Sequence, residues 1–205
     1  LAWRTMPMND TSHALFMATH SELLLNHHEG RTNNMLWDGS LKDVRRMFDL
    51  IPTAQVKLAK ARIALQNRSG NASALVDAVP EALQNDAGLA HDRFTWRARK
   101  GRSASAKELL IATSTSAKAL GRPENWSNRR RSLARDEMRD GDAKRAYAMA
   151  SQHFLTSGSA YADLEWLSGF IALQKLNDPK AALAHFKNHR SVIESPISRG
   201  RAGYW

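Results

Sequence analysis

Apolar positions recur at spacings of three and four through most of the 205 residues, and short clusters of Gly, Asn, Asp, Pro and Ser interrupt them. That is the period of one helix face, with punctuation at the helix ends. Asn9-Asp10-Thr11-Ser12 is a helix-start cluster, and the helix it opens is placed at His13–Leu25, with Leu15, Phe16, Leu23 and Leu24 available for burial. Thr32–Trp37 and Leu41–Leu50 read as the two arms of a hairpin around Asp38-Gly39-Ser40. Ile51-Pro52 closes the second arm, because the residue before proline is biased out of the helical region. Gln55–Arg68 forms the next helix, ended by Ser69-Gly70-Asn71. Ala72–Val79, a brief turn at Glu81–Gln84, Gly88–Lys100 with Gly101 just past its end, and Ser103–Ala112 follow. Thr113–Asn125 is rich in Ser, Thr, Ala and Gly and is expected to be the longest loop, a break between two helical stacks.

Beyond it three helical patterns follow one another, and the start of a fourth comes after them. In Asp142–His153 the small and apolar residues Ala143, Ala146, Tyr147 and Ala150 share a face. Tyr161–Leu176 leaves only a narrow polar side between Leu164, Trp166, Leu167, Phe170, Ile171 and Leu173, so it is expected to be the buried member of its pair. Asn177-Asp178-Pro179 stops that helix and starts the next, with Asp or Asn as cap and Pro at the first helical position. Ala181, Ala182, Leu183, His185 and Phe186 lie on this helix, and Pro196–Trp205 opens a last one. The second helices of successive hairpins begin near Val44, Ala74, Ala106, Ala143 and Ala181, steps of about 30 to 38 residues that bracket known helical repeats. The pattern predicts an all-α chain of antiparallel helical hairpins stacked into a curved, right-handed, TPR-like superhelix. One stack is placed at 1–112, a loop at 113–125 and a second stack at 126–205, the whole forming one continuous superhelical domain. Trp37, Trp96 and Trp166 are expected to fill the layers between hairpins, with Trp166 largely buried.

Composition narrows the functional classes. Hydrophobic content is 42%, and no apolar run approaches the roughly 18 residues of a membrane span. There is no cysteine, which excludes disulfides, thiolate metal sites and a cysteine nucleophile. The N-terminus, Leu1-Ala2-Trp3-Arg4, has neither a charged region nor an apolar core of a leader, so a signal peptide is expected to have been removed or left out. The net charge is +10, but the bases are scattered, Arg129-Arg130-Arg131 is the only triple, and the aromatics sit at core spacing rather than on a stacking platform. Nucleic acid is therefore not the expected partner. His20, His27 and His28 have no carboxylate at a metal-site spacing; they read as surface histidines at a helix end, and neither metal nor cofactor is expected. Phosphate loop, dinucleotide fingerprint and nucleophile elbow are all missing.

Several segments carry a family resemblance. Arg145-Ala146-Tyr147, Tyr161-Ala162-Asp163-Leu164-Glu165-Trp166-Leu167, Ala184-His185-Phe186 and Ser195-Pro196-Ile197-Ser198-Arg199 with Tyr204-Trp205 resemble, in order and spacing, the superhelical region of soluble lytic murein transglycosylases. Ser12-His13-Ala14-Leu15-Phe16, Leu36-Trp37-Asp38-Gly39 and Arg93-Phe94-Thr95-Trp96-Arg97 extend the resemblance toward the N-terminus. It implies a periplasmic parent that cleaves the MurNAc–GlcNAc linkage with formation of a 1,6-anhydro end. Its partners would be peptidoglycan glycan strands and a lysozyme-like catalytic domain C-terminal to this segment. The family's acid is a Glu followed by Ser on a helix. Glu194-Ser195 is such a dipeptide, but Pro196 follows at once and the family's downstream substrate motifs are missing. It reads as a turn, with Ser195 as N-cap and Pro196 at the first helical position, so the segment itself is expected to be a non-catalytic scaffold. The competing expectation is a stand-alone helical-repeat adaptor for a protein partner, and a weaker one is a basic nucleic-acid binder. A basic surface would concentrate the scaffold on murein, whose stem peptides carry carboxylates.

Overall fold

The computed structural model describes residues 2–194 and 196–204. All regular structure in them is helical: α1 (Ala2–Thr5), α2 (Asp10–Leu24), α3 (His28–Trp37), α4 (Leu41–Arg46), α5 (Thr53–Gln66), α6 (Ala72–Asp77), α7 (Ala87–Arg99), α8 (Ser103–Thr113), α9 (Ala117–Leu120), α10 (Pro123–Asp140), α11 (Ala143–Ser151), α12 (Gly158–Leu176), α13 (Pro179–Ser191) and α14 (Pro196–Tyr204). Single 3-10 turns lie at Leu25–His27, Phe48–Leu50 and Glu81–Leu83. The chain divides into two compact units, 1–96 and 97–205, and the division falls inside α7.

In the first unit the Asn9 side chain accepts the Ser12 N–H at 2.7 Å, and α2 begins at Asp10, three residues before the predicted start. His20 leaves helical geometry (φ −134°, ψ 21°) and kinks α2. Leu24 is buried, but Leu15 and Leu23 are 64% and 74% exposed, against the expectation that both face inward. Phe16 and Leu24 pack in the cluster with Trp3, Met47 and Ile51. Leu15 and Leu23 each sit one residue away, about 100° round the helix, and turn outward. The first hairpin arm is a turn longer than predicted, because α3 starts at His28. The second arm is shorter, because α4 stops at Arg46 and the fully buried Met47 leads into the turn Phe48–Leu50. α3 packs on α4 around Met35, Leu36 and Val44, and α5 packs on α6 around Leu58, Leu65, Ala72 and Val76. Trp96 is half-buried against the latter cluster.

In the second unit the predicted loop at 113–125 is largely helical. Ser116 accepts the Ala119 N–H to start α9, Gly121 turns the chain at φ 69°, and Pro123 opens α10. The Ser, Thr and Gly that suggested a loop here are cap and turn residues between closely spaced helices. Trp126, in the first turns of the long basic α10, is fully buried and its Nε1 donates to the Leu120 carbonyl at 3.0 Å. It is the centre of a layer that the polar sequence around it hid. The stop at Asn177-Asp178-Pro179 behaves as predicted, with Asp178 capping α13 by accepting the Ala181 N–H at 2.9 Å; in addition Asp142 caps α11 by accepting the Arg145 N–H at 2.9 Å, and Asn177 takes the left-handed conformation after α12. α10 packs on α11, α11 on α12 and α12 on α13. Leu164, Leu167 and Ile171 are buried as expected. Trp166 is only half-buried, stacked on Phe170 (centroids 5.3 Å apart) over the Ala172–Ala182–Phe186 cluster. Glu165 and Ser168 take buried positions on α12 instead.

Candidate functional site

Glu165 is 5% exposed in the middle of the most apolar helix, and three donors from two other segments close on it. His153, in the link from α11 to α12, donates from Nε2 to Oε1 at 3.1 Å. The Leu155 N–H donates to its Nδ1 at 3.0 Å, which fixes the proton on Nε2. From α13, His185 donates from Nδ1 to Oε2 at 2.6 Å and Asn188 from Nδ2 at 3.2 Å. Tyr147 of α11 completes the chain, its O–H on His185 Nε2 at 2.8 Å. The result is a Tyr–His–Glu–His relay that ties α11, α12 and α13 together. His189, one turn beyond His185, is buried against the Ala162 carbonyl at 2.9 Å.

Burial alone would raise the Glu165 pKa, but the hydrogen bonds from His153 and His185, the electrostatic effect of the His185 ring and the bond from Asn188 outweigh it and hold the carboxyl at about 2. A general base works best with a pKa near the operating pH. A carboxylate held this low, with both oxygens already occupied, has little affinity for another proton. The relay contains residue types found in catalytic triads, yet its chemistry is that of a buried, fully satisfied structural knot. The sequence hid it because Glu165 falls on the narrow polar side of α12, a place that reads as solvent-facing until α13 is packed over it.

Two further buried ions were not legible in the sequence. Arg130 of α10 is fully buried and has no carboxylate partner among the described residues. Its Nη1 donates to the Met149 carbonyl at 2.8 Å and its Nη2 to the Ser114 hydroxyl at 2.6 Å. Met149 lies in the last turn of α11 and Ser114 is the C-cap of α8. The guanidinium is thus compensated by two helix carboxyl ends, where carbonyls lack partners and the macrodipole is negative. Burial pushes its pKa down to about 10, so it remains charged at neutral pH. In the first unit, Arg62 of α5 donates from Nε to Asp92 at 2.7 Å and from Nη1 to Asn33 at 2.9 Å, with Trp37 under its Cζ at 5.1 Å. Trp37 is therefore a partner of a buried cation. A cavity of about 250 Å³ lies beside Arg62, with Glu29, Asn33, Gln55 and Asp86 among its polar walls.

The residues singled out by sequence fall elsewhere. Glu194 is exposed in the link between α13 and α14, and Pro196 is the first residue of α14, as expected of a turn. Ser195, assigned there as N-cap, lies outside the described residues, as does Trp205. His20 and His27 are exposed, but His28 is buried edge-on against Trp3, and desolvation lowers its pKa. Among the described residues no group of three His, Cys, Asp or Glu is placed to hold a metal ion, and no helix is long and apolar enough to cross a membrane.

What fold and site define together is an all-helical chain held by buried, hydrogen-bonded ions at its helix junctions. No family model, no curated protein and no solved structure matches the chain.

Proposed function

We propose that the chain is the superhelical scaffold of a periplasmic lytic murein transglycosylase, which holds a glycan strand for a lysozyme-like catalytic domain on the same polypeptide. In this reading the helical hairpins stack as a right-handed, TPR-like solenoid. One observation carries it. Three segments of the family resemblance supply the knot: Tyr147 from Arg145-Ala146-Tyr147, Glu165 from the motif at 161–167, and His185 from Ala184-His185-Phe186. Gly169 and Phe186 fit into the same junction, where a Cβ on Gly169 would lie 2.7 Å from the Phe186 ring. Residues separated by up to 38 positions meet in this one junction. A resemblance of this kind concerns architecture, which suits a scaffold.

The test is co-sedimentation of the purified chain with murein sacculi, with the soluble products analysed for anhydromuropeptides. Binding without product release is the expected result. Release of anhydromuropeptides that is abolished by Glu194→Gln would overturn the scaffold assignment, and absence of binding at low salt would overturn the murein assignment. The sequence encoded beyond Trp205 separates this reading from an adaptor: a lysozyme-like domain with Glu-Ser on a helix favours the transglycosylase, and a stop codon favours the adaptor.

A further inference from the structure

The net charge of +10 belongs to one unit. Residues 1–96 hold ten Lys and Arg against ten Asp and Glu, whereas residues 97–205 hold twenty against ten. Within the second unit α13 carries more cations than any other helix that has no acid. Its thirteen residues include Lys180, Lys187 and Arg190 and no Asp or Glu. All three cations are exposed, and none forms an ion pair among the described residues. With Leu183, which is 55% exposed, they follow at steps of three, four and three, so they share one face of the helix. The opposite face is consumed by Ala182, Phe186 and His189, which are buried against α12. At about 1.5 Å per residue, Lys180 and Lys187 stand roughly 10 Å apart and Arg190 about 5 Å further on.

We propose that this face of α13 is the docking track for a polymer carrying carboxylates, and that it makes the charge-dependent contact with murein stem peptides; the identity of the polymer rests on the function proposed above. Charge complementarity supplies the attraction: three unpaired cations in a row, in the unit that holds the whole excess charge. Their spacing selects the kind of anion. Duplex DNA presents a charge about every 1.7 Å and calls for dense phosphate contacts. Single-stranded nucleic acid calls for exposed stacking aromatics, and the exposed residue between these cations is an aliphatic leucine. A row with a cation only every 5–10 Å fits acids carried on side branches of a neutral backbone.

The experiment compares sacculi with native carboxyl groups and sacculi whose carboxyl groups have been amidated, using the whole chain. Lys180→Glu/Lys187→Glu is the test variant. Arg45→Glu/Lys57→Glu, at exposed positions of the first unit, changes the charge equally, and circular dichroism checks that both remain helical. Wild type is expected to bind native sacculi about tenfold more tightly than amidated ones at roughly 0.1 M salt. The α13 variant loses that preference and the control keeps it. Equal loss in both variants would mean attraction by net charge alone and would overturn the track, while leaving the murein reading intact. Equal binding of native and amidated sacculi by wild type would overturn the carboxylate specificity and likewise leave murein binding standing. No binding to either would remove both proposals. Tighter binding to duplex DNA than to native sacculi, with a steep salt slope, would replace the track with a nucleic-acid surface.

Discussion

Replacing Glu165 by glutamine keeps the shape of the knot and removes its charge. Glutamine has one oxygen to offer where the carboxylate has two, and its amide nitrogen is a donor facing other donors. His153 cannot relieve the conflict, because the Leu155 N–H already occupies its Nδ1. His185 can move its proton toward Tyr147, but the amide of Asn188 still points at Oε2. The cost can be estimated in two ways. Holding the carboxyl at about 2 rather than the ordinary 4.5 corresponds to about 3 kcal/mol of stabilisation of the ionised form. Breaking a buried charge-assisted cluster by altering one member costs about 3–5 kcal/mol. The two agree for a side chain only 7% exposed, where solvent screening is weak. Because the folded pKa lies below the unfolded one, this stability is fully present above about pH 4.5 and disappears as the pH falls toward about 2. Urea unfolding of wild type and Glu165→Gln should therefore differ by about 3 kcal/mol at pH 7, with the gap narrowing between pH 4.5 and pH 3. A gap below about 1 kcal/mol at pH 7, or one that does not narrow with acid, would refute the assignment of Glu165 as an ionised structural hub.

Four other substitutions test the packing. Gly88→Ala places a Cβ in direct clash with Cζ and Nη1 of Arg62 and must push the guanidinium off Asp92; chemical denaturation should show a loss of about 2–4 kcal/mol. Arg130→Met removes a cation without a carboxylate partner but strands the Met149 carbonyl and the Ser114 hydroxyl, so a loss of about 1–3 kcal/mol is expected, and an unchanged Tm would mean that both groups find other donors. Trp126→Ala should cost about 3–5 kcal/mol and the half-buried Trp166→Ala clearly less, an order that calorimetry would reverse if Trp166 were the packing centre.

Helix type and most helix ends were legible because they depend on neighbours. Asn9, Asp142 and Asp178 cap within three residues, Gly101 turns the chain where the residue past the helix was expected, and Asn177 turns it at the predicted stop. What could not be read depends on partners far along the chain. Leu15 and Leu23 looked like core until the kink at His20 and the position of Trp3 chose Phe16 and Leu24 instead. Trp126 was not singled out, because it stands among polar and charged residues and its Nε1 partner, the Leu120 carbonyl, lies at the end of the short α9. The segment 113–125 has low hydrophobic periodicity because α9 is a single turn with caps at both ends, too short for a period to register.

The buried ions constrain the chain more tightly than its apolar core does. A burial pattern built from Leu and Ala admits many substitutions of similar volume, so it leaves a weak trace along a chain. A buried carboxylate admits few, because each donor around it must be retained or the charge is stranded. Tyr147, His153, Glu165, His185 and Asn188 are bound by that constraint, and three of them lie in the segments that resemble the family. The constraint is structural: it specifies how α11, α12 and α13 meet, and Glu165, held near pKa 2, has no proton to give at neutral pH. Binding chemistry has to be sought on the face that this junction leaves outward. On α13 the residues turned toward α12 are fixed by the knot, and those turned away, Lys180, Lys187 and Arg190, have no packing role to explain their charge. The knot thus lies on one face of α13 and the unpaired cations on the other, so charge reversal at Lys180 and Lys187 should proceed without the stability loss expected of Glu165→Gln.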